Sequence, residues 1–280
     1  MNDPGKKIMT MILRILIVCV LGYLALVFYL YLKQDKMVYY PYKQLISSPE
    51  AEGLKYRNVT FNASDGVSLS GWMVGDEKKN SVILFCHGNG GNISYNIGFL
   101  PIFDRLDCRT FIFDYRGYGE SKGKPSEEGT YLDVEAAWKY LTETEKIEPG
   151  RIILFGHSLG GAIVTHLAVK TGNKARALIL ESTFTSVPEL GSGLYPFLPV
   201  RLVSKYRYDT HSLLPQISLP LLVIHSPEDE IIPYKHGETL FAEAHEPKQF
   251  LKISGTHNEG SFTSGTLYIS GLMKFLNKKF

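Results

Sequence analysis

Gly156-His157-Ser158-Leu159-Gly160-Gly161 sets a serine between two glycines, each two residues away, behind the strand-like run Arg151 to Phe155 and ahead of an apolar helical pattern. A serine hydroxyl attacks a carbonyl only when a neighbouring base takes its proton. The spacing serves that chemistry. A sharp strand-to-helix turn lifts the hydroxyl into a cleft, and such a turn is strained. Glycines on either side relieve the crowding that side chains would cause. The start of the following helix adds backbone N–H groups and a positive dipole end near a developing oxyanion. The motif predicts acyl transfer with Ser158 as nucleophile.

Where a serine occupies such a turn, its partners follow along the chain in the order carboxylate, then histidine. The apolar strand Leu221 to Ile224 runs into His225-Ser226-Pro227-Glu228-Asp229-Glu230. Asp229 is the predicted acid, with Glu228 and Glu230 as immediate neighbours. Glu181, also at a strand end, is the chief rival. Of the eight histidines, only His257 follows the acid and lies in a loop directly after a strand, in Ser254-Gly255-Thr256-His257-Asn258. His157, His166, His211 and His225 precede the acid. His236 and His245 fall in a helical stretch and are expected to be exposed. His87 ends a strand long before the serine and reads as a structural hydrogen-bonding residue. The loop His87-Gly88-Asn89-Gly90-Gly91-Asn92 is predicted to complete an oxyanion hole, the N–H of Asn89 joining that of Leu159. Phosphate binding is the other use of such glycines, but neither G-x-G-x-x-G nor a P-loop Lys-Ser/Thr pair is present. The predicted chemistry needs no metal or organic cofactor.

The elements that must hold these residues follow from the periodicity. Lys55 to Asn62 and Val67 to Val74 alternate around a turn at Ser64-Asp65-Gly66 and suggest an antiparallel edge. Apolar strands follow at Ser81 to Cys86, Thr110 to Asp114, Ile152 to Phe155, Ala177 to Leu180, Leu221 to Ile224 and Phe250 to Ile253. Helical patterns fall between them at Asn96 to Leu106, Thr130 to Glu145, Leu159 to Thr171, Gly237 to Ala244 and Ser264 to Phe280. Continuous apolar strands alternating with helices predict an α/β fold: a mostly parallel eight-stranded sheet with helices on both faces. Residues 183–216 are too long for an ordinary crossover and carry Pro188, Pro196, Pro199 and Pro215 among Leu194, Tyr195, Phe197 and Leu198. They are predicted to form a small cap.

Ahead of this body, Ile15 to Leu32 carries no charge. Its length, roughly 27 Å as a helix, matches the hydrocarbon core of a bilayer. Lys6, Lys7 and Arg14 flank one end, Lys33 and Lys36 the other, and Tyr29 and Tyr31 sit where an interfacial aromatic belt would lie. No small-residue cleavage site follows, so an uncleaved single-pass anchor is expected rather than a signal peptide. The slight excess of basic residues before the run favours a cytoplasmic N-terminus and an exported body, whereas the sequon at Asn92, beside those at Asn58 and Asn62, argues mildly against glycosylation in a lumen. Residues 1–33 then form the anchor, 34–54 a linker with packed aromatics, and 55–280 the main domain. Acids and bases nearly balance at +2, which gives no reason to expect nucleic acid as a partner. The three cysteines are scattered without metal-ligand spacing and read as structural.

Over residues 37–280 the chain resembles abhydrolase-domain proteins of the serine-aminopeptidase-like, bud-emergence-protein type, a group that includes membrane-tethered hydrolases and depalmitoylases. The resemblance rests on His87-Gly88-Asn89, Phe113-Asp114-Tyr115-Arg116-Gly117-Tyr118-Gly119-Glu120-Ser121, Gly156 to Gly161, Asp229 before Ile232-Pro233, and Gly255-Thr256-His257-Asn258. It implies an α/β-hydrolase fold and the triad Ser158, Asp229 and His257, acting on esters, thioesters or amides of lipid-like molecules or acylated proteins. Ser226 departs from the glycine common in relatives, and an apolar span replaces the lipidated cysteine cluster of the depalmitoylases. Asp114 and Arg116 are read as paired supports of the sheet top. Two other functions fit the same residues: an aminopeptidase-like enzyme, with Glu189 in the cap as anchor for the substrate amine, and a non-catalytic binding protein on this scaffold.

Overall fold

A computed structural model describes residues 4–278. Eight strands form one sheet: β1 (Tyr56–Asn62), β2 (Ser68–Val74), β3 (Ser81–Cys86), β4 (Cys108–Phe113), β5 (Ile152–His157), β6 (Ala177–Glu181), β7 (Leu221–His225) and β8 (Lys248–Lys252). Their spatial order is β8-β7-β6-β5-β3-β4-β2-β1, and only β2 runs against the rest. The central strands are buried on both faces, which is why they read as unbroken apolar runs rather than alternating ones.

Period-two geometry sorts their side chains between two cores. Val82, Leu84 and Cys86 of β3 face one layer, Ile83 and Phe85 the other. The first layer is closed by α3 (Glu127–Lys139), α4 (Leu159–Lys170) and α8 (Lys235–Glu243), through Val134, Ile163 and Leu240. The second is closed by α2 (Phe99–Arg105) and α9 (Gly265–Leu276), through Phe103 and Phe275. Phe85 lies at the centre of an aromatic cluster, its ring 5.0 Å from Phe155 and 5.3 Å from Phe99. Truncating it to alanine would cost about 3–5 kcal/mol.

Helix ends differ from the sequence pattern for local reasons. The pattern expected from Thr130 begins at Glu127, because Ser126 accepts a hydrogen bond from the Gly129 N–H and Glu127 and Glu128 face the positive end. It ends at Lys139 and widens into a π turn over Tyr140–Thr144. The pattern expected from Asn96 starts at Phe99, after a turn capped by Asn92. The last helix ends at Leu276, and Lys279 and Phe280 of the expected range lie outside the described residues, as do Met1, Asn2 and Asp3 of the expected anchor.

α1 (Pro4–Leu32) is long and apolar enough to cross a membrane. Residues 34–54 are fastened to the body: Tyr39 is buried and shares a hydrogen bond with the Tyr208 hydroxyl, and Tyr40–Pro41 pairs with Gly90–Gly91. Between β6 and β7 the chain rises into three short helices, α5 (Val187–Leu194), α6 (Val200–Val203) and α7 (Thr210–Leu213). The first two lean on α1. Tyr23 donates to the Phe197 carbonyl at 2.9 Å, and the Gln34 side chain bridges the Val203 carbonyl and the Lys205 N–H.

Candidate active site

β5 ends at His157, and Ser158 adopts φ 55°, ψ −122°, a left-handed conformation that a residue with a side chain occupies only under strain. The turn closes because its glycines are bare. A Cβ on Gly156 would stand 2.4 Å from the Gly160 carbonyl oxygen, and one on Gly160 would stand 1.9 Å from that of Cys86. The Ser158 N–H is tied to the Glu181 carbonyl of β6 at 2.9 Å.

Two backbone N–H groups border the same space. Within a trans peptide the C=O and N–H point in opposite directions, so holding the carbonyl aims the donor. His87 Nδ1 donates to the Gly88 carbonyl at 2.7 Å, which turns the Asn89 N–H away from the imidazole. The Thr183 hydroxyl donates to the Ser158 carbonyl at 2.7 Å, which turns the Leu159 N–H away from Thr183. Asn89 is further fixed by its side chain on the Val38 carbonyl and by the Tyr118 hydroxyl on its own carbonyl. Neither N–H donates to another protein group among the described residues.

β7 ends at His225 and the chain turns through Ser226, whose hydroxyl accepts from the Glu228 N–H. Asp229 Oδ1 accepts from the N–H groups of Ile231 and Ile232 at 3.0 and 2.7 Å, and Oδ2 accepts from His257 Nδ1 at 2.8 Å. Burial raises the Asp229 pKa. Interaction with His225 and His257 and the Ile232 N–H outweighs that and holds the carboxyl well below the usual range. His225 Nε2 is shared, 2.9 Å from the Ile232 carbonyl and 3.4 Å from Asp229. Flanking acids secure the histidine loop: Glu230 accepts from the His257 N–H and Glu228 from the Gly255 N–H. The His257 ring lies 5.2 Å from that of His157, the residue before Ser158. Ser158 and His257 share no hydrogen bond among the described residues; catalytic hydrogen bonds commonly tighten only when substrate arrives.

The rivals face elsewhere. The Glu181 carboxylate meets the Tyr268 hydroxyl on the opposite sheet face, and burial pushes it up to about 8. His166 stacks on Tyr131 and bonds Glu135. His245 is exposed, but His236 is not: it is half-buried with Nδ1 against the Thr185 hydroxyl at 2.9 Å, correcting the expectation for that helix. Arg116 bonds Asp133 and Asp65, and Asp114 accepts from the Ile93 N–H at 2.9 Å with His87 Nε2 3.7 Å away.

A cavity of about 210 Å³ opens above Ser158, Leu159 and Asn89. Leu190, Leu194, Tyr195 and Leu198, between β6 and β7, form one wall, and Val27, Leu30 and Tyr31 of α1 another. Among the described residues no group of three His, Cys, Asp or Glu side chains is arranged to hold a metal ion. Sequence reasoning missed Thr183, His225, the clamps from Glu228 and Glu230, and the share of α1 in the cavity. Only the run Glu228-Asp229-Glu230 carried a visible signal, three acids beside a strand end.

Residues 81–208 match the family model of the alpha/beta hydrolase fold. An alpha/beta hydrolase domain-containing protein of Arabidopsis thaliana, WAV2, is 33% identical over 270 residues, 88% of each chain. The chain belongs to the α/β hydrolases. A membrane protein of Saccharomyces cerevisiae, YNL320W, is 30% identical over 246 residues, 84% of this chain and 87% of that one. The Pyrococcus furiosus esterase Pf2001 shares the fold, with a TM-score of 0.69 at 18% identity over 85% of this chain and 96% of that one.

Proposed function

We propose that this chain is a membrane-anchored serine hydrolase that cleaves carboxylic esters or thioesters through an acyl-enzyme. The observation that carries the reading is the Asp229 carboxyl bonded to His257 Nδ1 at 2.8 Å, with the His257 ring 5.2 Å from that of His157, the residue before the strained Ser158. His257 Nε2 takes the Ser158 proton as Oγ attacks the acyl carbonyl. The N–H groups of Asn89 and Leu159 hold the oxyanion, each such donor typically worth roughly 3 kcal/mol. The tetrahedral adduct expels the alcohol or thiol, which leaves with the proton from His257. Water then gives a proton to His257 and attacks the ester on Ser158, freeing the acid and restoring the hydroxyl. Asp229 fixes the imidazole tautomer and stabilises its cation. The name of the Pyrococcus neighbour, an esterase, agrees with this chemistry.

α1 is the anchor in this reading, residues 34–54 join it to the body, and residues 183–216 are the cap. The yeast relative's name supports the membrane assignment. The body lies on the non-cytoplasmic side. Asn58 and Asn62 are exposed, so secretory expression should add glycans there, while the buried Asn92 amide is already bonded to the Tyr42 and Gln44 carbonyls. Peptidase action is less well supported, since Glu189 is paired with Arg201 at 2.9 Å rather than free for a substrate amine.

A fluorophosphonate probe should label the full-length protein in membranes and fail to label Ser158→Ala. Ester turnover should fall about 10⁶-fold in that variant. A folded wild-type protein that resists the probe would sink the proposal.

A further inference from the structure

The cavity runs along α1 rather than ending against it. Its inner end is at Asn89, whose side chain is held by the Val38 carbonyl, and its outer wall climbs α1 from Gln34 to Val27, roughly 10 Å along the helix axis. That direction leads back into the apolar span. The cap climbs with it. The Phe197 carbonyl is bonded to Tyr23, ten residues before Lys33 and so about 15 Å up the axis, half the depth of a hydrocarbon core.

The exposed tip of this cap is apolar from Leu194 to Phe197 and at Leu202, with the Arg201–Glu189 ion pair also exposed on the cap. Phe197 is 65% exposed, Leu202 87% and Leu194 48%, contiguous with the bare apolar surface of α1. Where the two elements meet the body the character changes. Lys205 lies over the Tyr31 ring at 4.2 Å, with Lys33 and Lys36 exposed nearby beside Asp35. Aromatic rings and lysines at that level suit the headgroup layer of a bilayer, with the apolar cap tip beyond it among acyl chains. Water would be a poor solvent for the tip, which continues the surface of a helix long enough to span a membrane.

We propose that the cap tip is immersed in the leaflet entered by the C-terminal half of α1, and that the cavity draws its substrate sideways from that leaflet. The substrate class is then a bilayer-resident long-chain acyl ester or thioester. Its chain lies between α1 and the cap while its carbonyl reaches Ser158. α1 is therefore a wall of the binding site as well as an anchor. The substrate claim rests on the hydrolase reading above; the immersion does not.

Two measurements on the full-length chain in phosphatidylcholine–phosphatidylglycerol vesicles test this. Trp72 and Trp138 are buried in the body, so Phe197→Trp adds a reporter at the tip. Lipids brominated along their chains should quench its added emission strongly; no quenching overturns immersion. Separately, Phe197→Glu with Leu202→Glu touches neither the triad nor the cavity lining. It should lower hydrolysis of a long-chain ester dissolved in the vesicles at least tenfold and leave p-nitrophenyl acetate hydrolysis in water unchanged. Equal loss on both esters, or no loss on either, overturns the leaflet route. A parent that hydrolyses neither ester overturns the hydrolase reading instead, and quenching still decides immersion.

Discussion

Two histidine–aspartate contacts stand at the same end of the sheet, and their surroundings push the two carboxyl groups in opposite directions. Asp229 collects donors: two backbone N–H groups, His257 at 2.8 Å and a share of His225. Among the described residues Asp114 has one, the Ile93 N–H at 2.9 Å; its Oδ2 has no partner there, and His87 Nε2 stops 3.7 Å from Oδ1. Burial acts on both. It pushes Asp114 up to about 7 and His87 down to about 4, whereas the donors on Asp229 overcome it. Burial of a histidine beside a carboxylate does not by itself make a catalytic dyad. The number and closeness of donors decide whether the anion survives.

Amide substitution should separate the pairs most sharply. Asp229→Asn removes the anion and presents a donor to His257 Nδ1, so turnover of a soluble ester should fall about 10⁴-fold with the fold retained. Asp114→Asn keeps an acceptor for the Ile93 N–H and should leave turnover within about twofold. Similar losses in both variants would mean that the second pair also takes part in the chemistry.

A smaller effect tests how the proposed catalytic pair is held. Glu230 accepts from the His257 N–H at 3.0 Å, so Glu230→Ala frees the loop without touching the imidazole. Misplacing a reacting group is costly, and kcat should fall about tenfold with KM little changed. Glu230→Gln keeps an acceptor oxygen and should restore most of the rate. If the glutamine variant is as slow as the alanine variant, charge rather than position is what Glu230 supplies.

These contrasts also mark what could be read from residue order alone. The turn at Ser158 was legible because its glycine spacing encodes a local backbone path, and the positive φ and close carbonyls are that path. The sheet was legible because strands buried on both faces must be apolar throughout. Thr183 and His225 were not, and Glu230 only as one of three acids beside a strand end, since each acts on a group that only the folded sheet brings near. The half-burial of His236 depends likewise on Thr185, 51 residues away. Nor could the α1 wall be foreseen, because the uncharged run Ile15 to Leu32 reads the same whether lipid or protein covers it.

The smallest effect is thermodynamic and concerns the idle pair. Asp114 binds its proton more tightly folded than unfolded, so its contribution to stability falls as pH rises from about 4 to about 7. His87 is the reverse: its folded pKa is depressed to about 4, so its contribution rises with pH up to about 6.5. The two slopes oppose each other over most of that window, and only the loss from Asp114 continues to pH 7. Asp114→Asn removes the falling slope and keeps the rising one. Relative to wild type, the variant should therefore gain on the order of 2 kcal/mol between pH 5 and pH 8. In detergent its Tm should move upward against wild type by several degrees over that range. A difference independent of pH would show that Asp114 is already ionised at pH 5, and the contrast with Asp229 would reduce to distance alone.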